Sequence, residues 1–217
     1  MKMKMMLCAG CALFAGLMAP AADAVVIDFT NTGCTASGVY CLIPQSYGDT
    51  ADVDVSYRTL NAATGKQTGA GLFEYGQYGD LSNVVYGGTN ASQFVGEITL
   101  TAKPGRLLSL QSLDFATYHG WSATVPISIL DLNGNLLMGG RYATGYPSHR
   151  TLTPATQYLS GVVIRWGPDS YNVGLDNITY AVSSPAPEPA SWAMAVMGFG
   201  AIGWSARNRR KAMVRFA

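Results

Sequence analysis

The sequence contains 217 residues, of which 12% are charged, and its formal net charge is +1. This length allows about one ordinary domain together with short accessory segments. The charges are segregated, because residues 25–189 contain 7 Lys or Arg and 12 Asp or Glu, a balance of 7 − 12 = −5, whereas both ends are basic. Binding to nucleic acid requires a basic surface, so we expect no nucleic-acid partner.

The N-terminal end has the pattern of a secretory signal peptide. Two lysines precede an apolar run at residues 5–19, and the small residues Ala22 and Ala24 lie where signal peptidase requires them. We predict a signal peptide at residues 1–24, cleaved by signal peptidase so that the exported chain begins at Val25. The alternative is an uncleaved N-terminal anchor, which would need a longer apolar run.

The cysteine count depends on that cleavage. Removal of the signal peptide also removes Cys8 and Cys11, and it leaves Cys34 and Cys41. In an oxidising exterior these two are predicted to form a disulfide that closes a small loop and restricts the unfolded chain. The alternative, a cysteine-based metal site, would need further cysteines or nearby histidines.

The C-terminal end begins with a stiff linker and an apolar segment. Prolines space the linker at residues 183–189, which can therefore join neither a helix nor a central strand. Residues 190–206 carry no charge and would extend about 25 Å as a helix, slightly less than the roughly 30 Å hydrocarbon core of a bilayer. Trp192 and Trp204 lie near the two ends, as indole rings at membrane interfaces do. We predict one transmembrane helix there.

A basic tail at residues 207–217 follows the apolar segment and is predicted to stay cytoplasmic. The exported domain at residues 25–182 would then face outward. The alternative, a buried helix of the soluble domain, would show a polar face, whereas this segment is apolar all round. The residues predicted to stop transfer through the membrane are Arg207, Arg209, Arg210 and Lys211.

The order of Pro187, Glu188 and Pro189, an apolar span and an arginine-rich end resembles the PEP-CTERM sorting signal of Gram-negative bacteria, also called the ice-binding protein C-terminal domain. The resemblance implies processing by a membrane-embedded exosortase, which recognises the tripeptide and removes the hydrophobic tail. It also implies transient anchoring in the membrane and then release to the outer surface or extracellular matrix. Family members commonly accompany exopolysaccharide production and biofilm formation. The chain departs from the family pattern in its longer tail.

The exported domain shows short apolar or alternating runs separated by turn residues, with no long amphipathic helix. Such a series predicts an all-β, antiparallel β-sandwich with jelly-roll-like topology, and a closed barrel is the alternative. Asn133-Gly134 predicts a hairpin, because both residues tolerate the positive φ of a type I′ turn. The predicted strands are residues 25–29, 53–60, 71–78, 94–101, 107–118, 125–132, 135–142, 159–166 and 173–182.

The run at residues 173–180 resembles the closing strand of jelly-roll carbohydrate-binding modules. In that family an Asp near this position helps to hold a structural calcium ion, so the resemblance makes Asp176 a candidate ligand with Asp28 of the first strand as its partner. The alternative is that Asp176 caps a turn or accepts a hydrogen bond from a neighbouring amide. We predict no other cofactor.

Catalytic patterns are weak in this sequence. Glu74 and Glu97 are the natural pair for a glycosidase-type acid and nucleophile, but both lie in alternating strands where an outward-pointing Glu is ordinary. His119 and His149 are the only histidines, and no serine-hydrolase or zinc-protease motif accompanies them. We therefore expect no enzymatic activity.

Exposed aromatic rings can stack on sugars, and several aromatic residues suit that role. Trp121 and Tyr118 are the leading candidates, since the intervening His119-Gly120 places Trp121 on a loop between two strands. The alternative is that the tyrosines fill a β-sandwich core. We expect a non-catalytic, polysaccharide-associated surface protein, with a structural or adhesive protein as the second reading and a glycan-active enzyme as the third. The full set of aromatic candidates is Tyr75, Tyr78, Tyr118, Trp121, Tyr142 and Tyr146.

Overall fold

The structure is a computed structural model that describes residues 24–33, 41–68, 71–88, 93–183, 194–204 and 207. Several predictions fall outside these residues. They concern most of the signal peptide, the prolines of the linker and, among single residues, Cys34, Pro187, Glu188, Pro189, Arg209, Arg210 and Lys211.

The described residues form twelve strands, and every predicted strand is present within a few residues of its predicted bounds. The strands are β1 (Ala24–Ile27), β2 (Cys41–Leu42), β3 (Val53–Asn61), β4 (Leu72–Tyr78), β5 (Leu81–Gly87), β6 (Phe94–Ala102), β7 (Leu107–Thr117), β8 (Ser122–Asp131), β9 (Leu136–Gly145), β10 (Arg150–Leu152), β11 (Gly161–Trp166) and β12 (Val173–Ser183).

These strands form two sheets in which neighbouring strands are antiparallel. The seven-stranded sheet has the order β10-β7-β12-β5-β4-β2, with β1 also paired to β12, and the five-stranded sheet has the order β3-β6-β11-β8-β9. Buried residues of both sheets share one core, including Leu110 and Phe115 of β7 and Ile98 and Leu100 of β6. The predicted antiparallel β-sandwich is therefore confirmed.

Strand β12 defines the two ends of the sandwich. Its first residue, Val173, pairs with Thr117, and its last residue, Ser183, pairs with Leu107. Strand β1 starts beside the later part of β12, where Ala24 pairs with Ala181. We call the end at which β12 finishes the base and the opposite end the distal end. Both described chain ends of the sandwich therefore lie at the base.

Three strands were not predicted. Strands β2 and β10 contain only two and three residues, too few to show a periodic pattern. Strand β5 follows β4 after the two-residue turn Gly79-Asp80, and Asn83 adopts a left-handed φ of 61°. This conformation breaks the regular alternation of side chains by which an amphipathic strand is recognised.

The hairpin predicted at Asn133-Gly134 is present between β8 and β9, but its turn is not type I′. Only Gly134 has a positive φ, 84°. The Gly134 N–H donates to the Asp131 carbonyl at 3.0 Å, and the Asp131 N–H donates to the Asn135 carbonyl at 2.9 Å, so residues 132–134 form a loop that ends in a left-handed glycine. Asp131 favours this arrangement, because its Oδ1 accepts the backbone N–H groups of Asn133 and Asn135 at 2.8 Å each.

The helix α1 at residues 194–204 follows the sandwich in sequence, and its large apolar side chains are exposed. In the part of the chain that the structure describes, no helix combines the length and the apolar character needed to cross a membrane. The predicted segment at residues 190–206 extends beyond the described part of α1, so the transmembrane helix stays a prediction.

One of the tightest contacts in the core joins Trp166 of β11 to Gly96 of β6. Trp166 is fully buried, and its indole N–H donates to the Val173 carbonyl at 2.8 Å. Gly96 pairs directly with Trp166, and a Cβ at Gly96 would overlap the indole ring. The sheet can therefore hold this ring only while position 96 carries no side chain.

We predict that Gly96→Ala lowers the free energy of unfolding by about 1 to 3 kcal/mol, because the added methyl group displaces the ring. The matched control is Gly76→Ala in β4, where a Cβ would meet no atom within 4 Å. The control should be neutral or slightly stabilising, since alanine restricts the unfolded chain. Urea unfolding of both variants measures the difference. Equal stabilities would show that Trp166 does not occupy this position.

Candidate functional site

A second apolar cluster lies on the outer face of the seven-stranded sheet. In the β4–β5 hairpin Phe73 pairs with Tyr86 and Tyr75 pairs with Val84. Their neighbour Leu72 belongs to the central core, so alternation directs Phe73 and Tyr75 to the opposite face. The cluster comprises Phe73, Tyr78, Leu81, Val84, Tyr86 and Ala116, with Tyr75, Tyr118 and Tyr171 packed against it.

The tip of the β4–β5 hairpin crosses the outer face of β12 and β7. It can do so because the residues beneath it are small. A Cβ at Gly174 would lie 2.8 Å from Val84 Cγ2 and 3.0 Å from Tyr78 Cδ2, and the Ala116 methyl group lies beneath Gly79. The crossing brings Tyr75 and Tyr78 of β4 against Tyr118, which follows β7, with ring centroids 5.5 and 5.4 Å from the Tyr118 ring.

A pocket of about 280 Å³ opens beside this crossing. We call it the tyrosine groove, and a smaller cavity of about 40 Å³ shares Tyr75 and Tyr118 with it as lining residues. The Tyr75 and Tyr118 hydroxyl groups lie 3.4 Å apart, and the His119 and Tyr146 ring centroids lie 4.5 Å apart. The residues that line the groove are Tyr75, Gln77, Gly79, Tyr118, His119 and Tyr146.

The turn at residues 118–121 holds one side of the tyrosine groove. The Trp121 N–H donates to the Tyr118 carbonyl at 3.1 Å, and Gly120 supplies the positive φ, 76°, that closes the turn. The Trp121 carbonyl then accepts the Tyr146 N–H at 3.1 Å and the Thr117 hydroxyl at 2.9 Å. The backbone of Trp121 is therefore fixed, whereas its side chain is 53% exposed.

The opposite side of the tyrosine groove is held by a hydrogen-bonded pair, Asp80 and His149, between two loops. Asp80 of the β4–β5 turn accepts the His149 backbone N–H at 2.6 Å and lies 2.9 Å from His149 Nδ1. Desolvation works against ionisation of this carboxyl group, but the hydrogen bonds from His149 outweigh it and lower the pKa of Asp80. The pair ties the hairpin tip to the segment that follows Tyr146.

The phenol groups of Tyr75 and Tyr78 carry no charge at neutral pH. The hydrogen bond with Tyr118 and burial raise the pKa of Tyr75, and burial raises the pKa of Tyr78, so both phenols stay protonated. None of the residues that line the groove is Asp, Glu, Lys or Arg. The site therefore offers aromatic faces, phenol groups and the Gln77 amide, a combination that suits a neutral polyhydroxylated ligand.

The structure brings together most of the aromatic residues named from the sequence, but not all of them. Tyr75, Tyr118 and Tyr146 line the groove, and Trp121 ends the same turn. Tyr142 instead packs against Phe115 of the core, with ring centroids 6.1 Å apart, as the alternative reading expected. Sequence reasoning did not assign His119 to this site, although its position directly after Tyr118 was a usable signal.

The predicted calcium ligands lie near one another beside β12. Asp176 is only 4% exposed, and burial together with the nearby carboxylates of Asp28 and Asp114 raises the pKa of Asp176 to about 7. Asp176 Oδ1 accepts the Asn177 N–H at 2.8 Å. This is the hydrogen bond from a neighbouring amide that was given above as the alternative to a calcium ligand. Asp28 Oδ1 accepts the Thr30 N–H at 3.2 Å.

Among the described residues no group of three or more His, Cys, Asp or Glu is placed to hold a metal ion. The carboxylates around Asp176 nevertheless concentrate negative charge in a desolvated place, which favours either a proton or a bound cation. Asp114, which sequence reasoning missed, accepts the Asn177 side-chain amide at 2.9 Å and the Thr151 hydroxyl at 2.6 Å. The calcium site stays a prediction.

The two candidate catalytic carboxylates lie in different sheets. Glu74 belongs to β4 of the seven-stranded sheet and accepts the Thr32 hydroxyl. Glu97 belongs to β6 of the five-stranded sheet, where it is buried between two cross-strand partners, Arg58 and Arg165, with Arg165 Nε 2.6 Å from Glu97 Oε2. Each carboxylate therefore has its own structural partners.

Two further predicted positions are described only in part. Cys41 begins β2, but its predicted disulfide partner lies outside the described residues, so the disulfide stays a prediction. Arg207 is the one residue of the predicted membrane-stop cluster within the described part of the chain.

The fold is that of an all-β, two-sheet sandwich. Residues 185–211, which follow this sandwich, match the PEP-CTERM protein-sorting motif. The chain therefore carries a PEP-CTERM protein-sorting motif, and the motif indicates export and processing by an exosortase. The matched region covers only the C-terminal end and does not describe the sandwich. No curated protein sequence matches the chain.

Several solved structures resemble the sandwich at low similarity. The Podospora anserina GH26-CBM35 β-(1,4)-mannanase has 15% identity and a TM-score of 0.31, over 64% of this chain and 29% of that chain. A CBM4 structure has 13% identity and a TM-score of 0.30, over 61% of this chain and 87% of that chain. The arabinose-bound MgGH51 α-L-arabinofuranosidase has 14% identity and a TM-score of 0.35, over 74% of this chain and 32% of that chain.

This chain thus spans about a third of the mannanase and of the arabinofuranosidase. At these TM-scores the similarity assigns neither a ligand nor an activity.

The raised pKa of Asp176 predicts how the stability of the folded protein depends on pH. Because its pKa is raised in the folded protein, its contribution to stability is present below the unfolded pKa and is lost as the pH rises through about 7. In EDTA, raising the pH from 5 to 8 should therefore destabilise the wild type relative to Asp176→Asn, by on the order of 3 kcal/mol. Thermal unfolding of both proteins at the two pH values measures this difference.

The control for this prediction is Asp54→Asn, an exposed carboxylate paired with Lys103 at 3.1 Å. It should track the wild type between pH 5 and 8. Added calcium separates the two readings of the acidic cluster. A calcium-dependent rise in melting temperature that Asp176→Asn abolishes would support the metal site, whereas no response in either protein would rule it out.

Proposed function

We propose that this protein is a non-catalytic surface or extracellular-matrix protein that associates with exopolysaccharide through the tyrosine groove. Export and exosortase processing follow from the sorting motif at residues 185–211. The polysaccharide association rests on the groove itself, whose aromatic faces and neutral hydrogen-bonding groups match the CH faces and hydroxyl groups of sugar rings.

The position of the groove supports this proposal. Tyr118 directly follows Thr117, which pairs with Val173 at the distal end of β12. Strand β12 has 11 residues and therefore extends about 35 Å from that end to the base. The sorting motif follows the base after a short linker, so the groove lies far from the membrane-directed end of the chain and stays open to an extracellular polymer.

The proposed route begins with signal peptidase and ends with an exosortase. The chain crosses the inner membrane of a Gram-negative bacterium, is held transiently by the segment at residues 190–206, and then passes to the outer surface or matrix. The absence of enzymatic activity is part of the proposal. It is supported by the separate sheets of Glu74 and Glu97 and by the two arginines that engage Glu97.

A second candidate is a structural or adhesive surface protein without glycan specificity. The dense packing of the tyrosine rings favours it. Tyr75, Tyr78 and Tyr118 contact one another edge to face, at centroid distances of 5.4 to 5.8 Å, and such packing stabilises a sheet without any ligand. In that case the groove would be a by-product of the hairpin crossing.

Substitutions at the rim of the groove distinguish these candidates. We predict that Trp121→Ala and Tyr146→Ala each weaken retention of the full chain on immobilised exopolysaccharide of the producing bacterium by about tenfold, or about 1.4 kcal/mol, because each removes an exposed stacking surface. Affinity electrophoresis in the presence of that polysaccharide measures the change.

The matched control is Tyr158→Ala. Tyr158 and Tyr146 are both 42% exposed, but Tyr158 precedes Leu159, which bridges to Leu108 near the base. Retention of the control should equal that of the wild type. If the wild type is not retained by any polysaccharide, or if all three variants behave alike, the groove is not a glycan site and the structural reading is favoured.

The sorting tripeptide gives an independent prediction. Glu188→Ala should leave the full-length chain in the membrane fraction of its host, because exosortase recognition of residues 187–189 would be lost. The control Pro185→Ala lies outside the tripeptide and should be processed normally. Mass spectrometry of the surface and membrane fractions gives the result. Normal release of the Glu188→Ala chain would contradict recognition through this tripeptide.

A further inference from the structure

The β8–β9 hairpin ends in exposed leucines. Leu132 lies in its loop, and Leu136 and Leu137 begin β9, where Leu136 is 63% exposed. Two consecutive strand residues normally point to opposite faces. The register here shifts between Ile129–Met138 and Leu130–Leu136, which leaves Leu137 unpaired in a bulge and allows both side chains to be exposed. We call Leu132, Leu136 and Leu137 the leucine tip.

The register of the five-stranded sheet places the leucine tip at the base. Leu136 pairs with Leu130 near the end of β8, and Asp131 pairs with Val162 near the start of β11. Gly161 in turn pairs with Thr101 near the end of β6. The four-residue connection at residues 103–106 then leads to Leu107, which pairs with Ser183 at the base.

The two segments predicted to enter the membrane, the signal peptide and the apolar segment at residues 190–206, are both joined to the sandwich at the base. Ala24, the last residue of the predicted signal peptide, pairs with Ala181 of β12. The apolar segment begins at residue 190, which is 190 − 183 = 7 residues after Ser183. Seven residues reach at most about 25 Å even when fully extended. While the segment is in the membrane, the base is therefore held close to the lipid surface.

The charged side chains around the base are largely paired, so they present little obstacle to contact between the base and the lipid surface. Arg106 Nε lies 2.9 Å from Asp52 Oδ1, and Lys103 Nζ lies 3.1 Å from Asp54 Oδ1. Asp131 beside the leucine tip is different. Hydrogen bonds from Asn135, and then from Asn133, lower its pKa, so it stays ionised at neutral pH. An ionised carboxylate limits the tip to the headgroup boundary and prevents deep insertion.

We propose that the leucine tip contacts the lipid surface during the membrane-anchored stage, as a second, non-covalent point of attachment beside the apolar segment. Exposed leucines bind the boundary between headgroups and acyl chains in proportion to their apolar area. Three residues give weak binding alone, but tethering makes the contact intramolecular and raises its effective concentration. Two attachment points fix the orientation of the sandwich and direct the tyrosine groove away from the membrane.

Lipid fits the position better than a second copy or the polysaccharide does. A second copy would have to approach at the end occupied by the anchor, where the membrane restricts access. A neutral polymer would gain little from aliphatic side chains that offer no hydrogen bonds. The inference depends on the membrane-anchored stage of the proposed function, but not on glycan binding.

Photo-crosslinking tests the contact. The full chain is reconstituted in vesicles of phosphatidylethanolamine and phosphatidylglycerol with p-benzoylphenylalanine in place of Leu136, and lipid adducts are identified by mass spectrometry after illumination. Leu136 is mostly exposed, so the replacement should not disturb folding. The control carries the same amino acid in place of Trp121 at the distal end. We expect several-fold more lipid adduct at position 136 than at position 121.

The outcomes separate this inference from the proposed function. If the chain stays with the vesicles but position 136 gives no more lipid adduct than position 121, the leucine tip does not contact lipid, although the chain is anchored in the membrane. If position 136 instead crosslinks to a second copy of the chain, the leucine tip is a self-association surface and the inference fails. If the chain does not remain with the vesicles, both the anchoring and the contact are refuted.

Discussion

Strand β12 pairs with β7 at both of its ends, from Val173 opposite Thr117 to Ser183 opposite Leu107, with an irregularity at Asn177 and Ile178 between them. It also pairs with β5 through Leu175 and with β1 through residues 178–181. Its side chains also supply the central core with Leu175, Ile178 and Tyr180. The strand that joins the sandwich to the sorting region is thus the strand on which the seven-stranded sheet depends.

This pairing has a consequence for the proposed function, because it places the chain ends and the tyrosine groove at opposite ends of the same strand. Gly174 of the same strand leaves space for Val84 and Tyr78, so β12 also determines where the β4–β5 hairpin crosses. A slip of one residue in the register would turn every side chain of β12 to the other face of the sheet. The side chains that β12 contributes beside the groove, in the acidic cluster at Asp176 and at the base would therefore all change faces together.

Much of the fold could be predicted from the sequence, since apolar runs such as 94–101 and 107–118 report burial on a strand directly. The shortest strands and the crossing of the β4–β5 hairpin could not, because they depend on tertiary contacts such as those of Gly174. The same limit applies to the site. Exposure of Trp121 follows from its loop, but the partial burial of Tyr142 and the approach of His119 to Tyr146 depend on how distant strands meet.

If an exported sandwich binds glycan in a groove at the end opposite its sorting motif, purified exopolysaccharide of the producing bacterium should protect that end. Hydrogen–deuterium exchange of the full chain, with and without the polysaccharide, measures this protection. We predict slower exchange at the backbone amides of residues 118–121, 146, 148 and 149 and no change in residues 131–137 at the base. Protection confined to the base, or no protection at any residue, would show that the groove does not bind the polysaccharide.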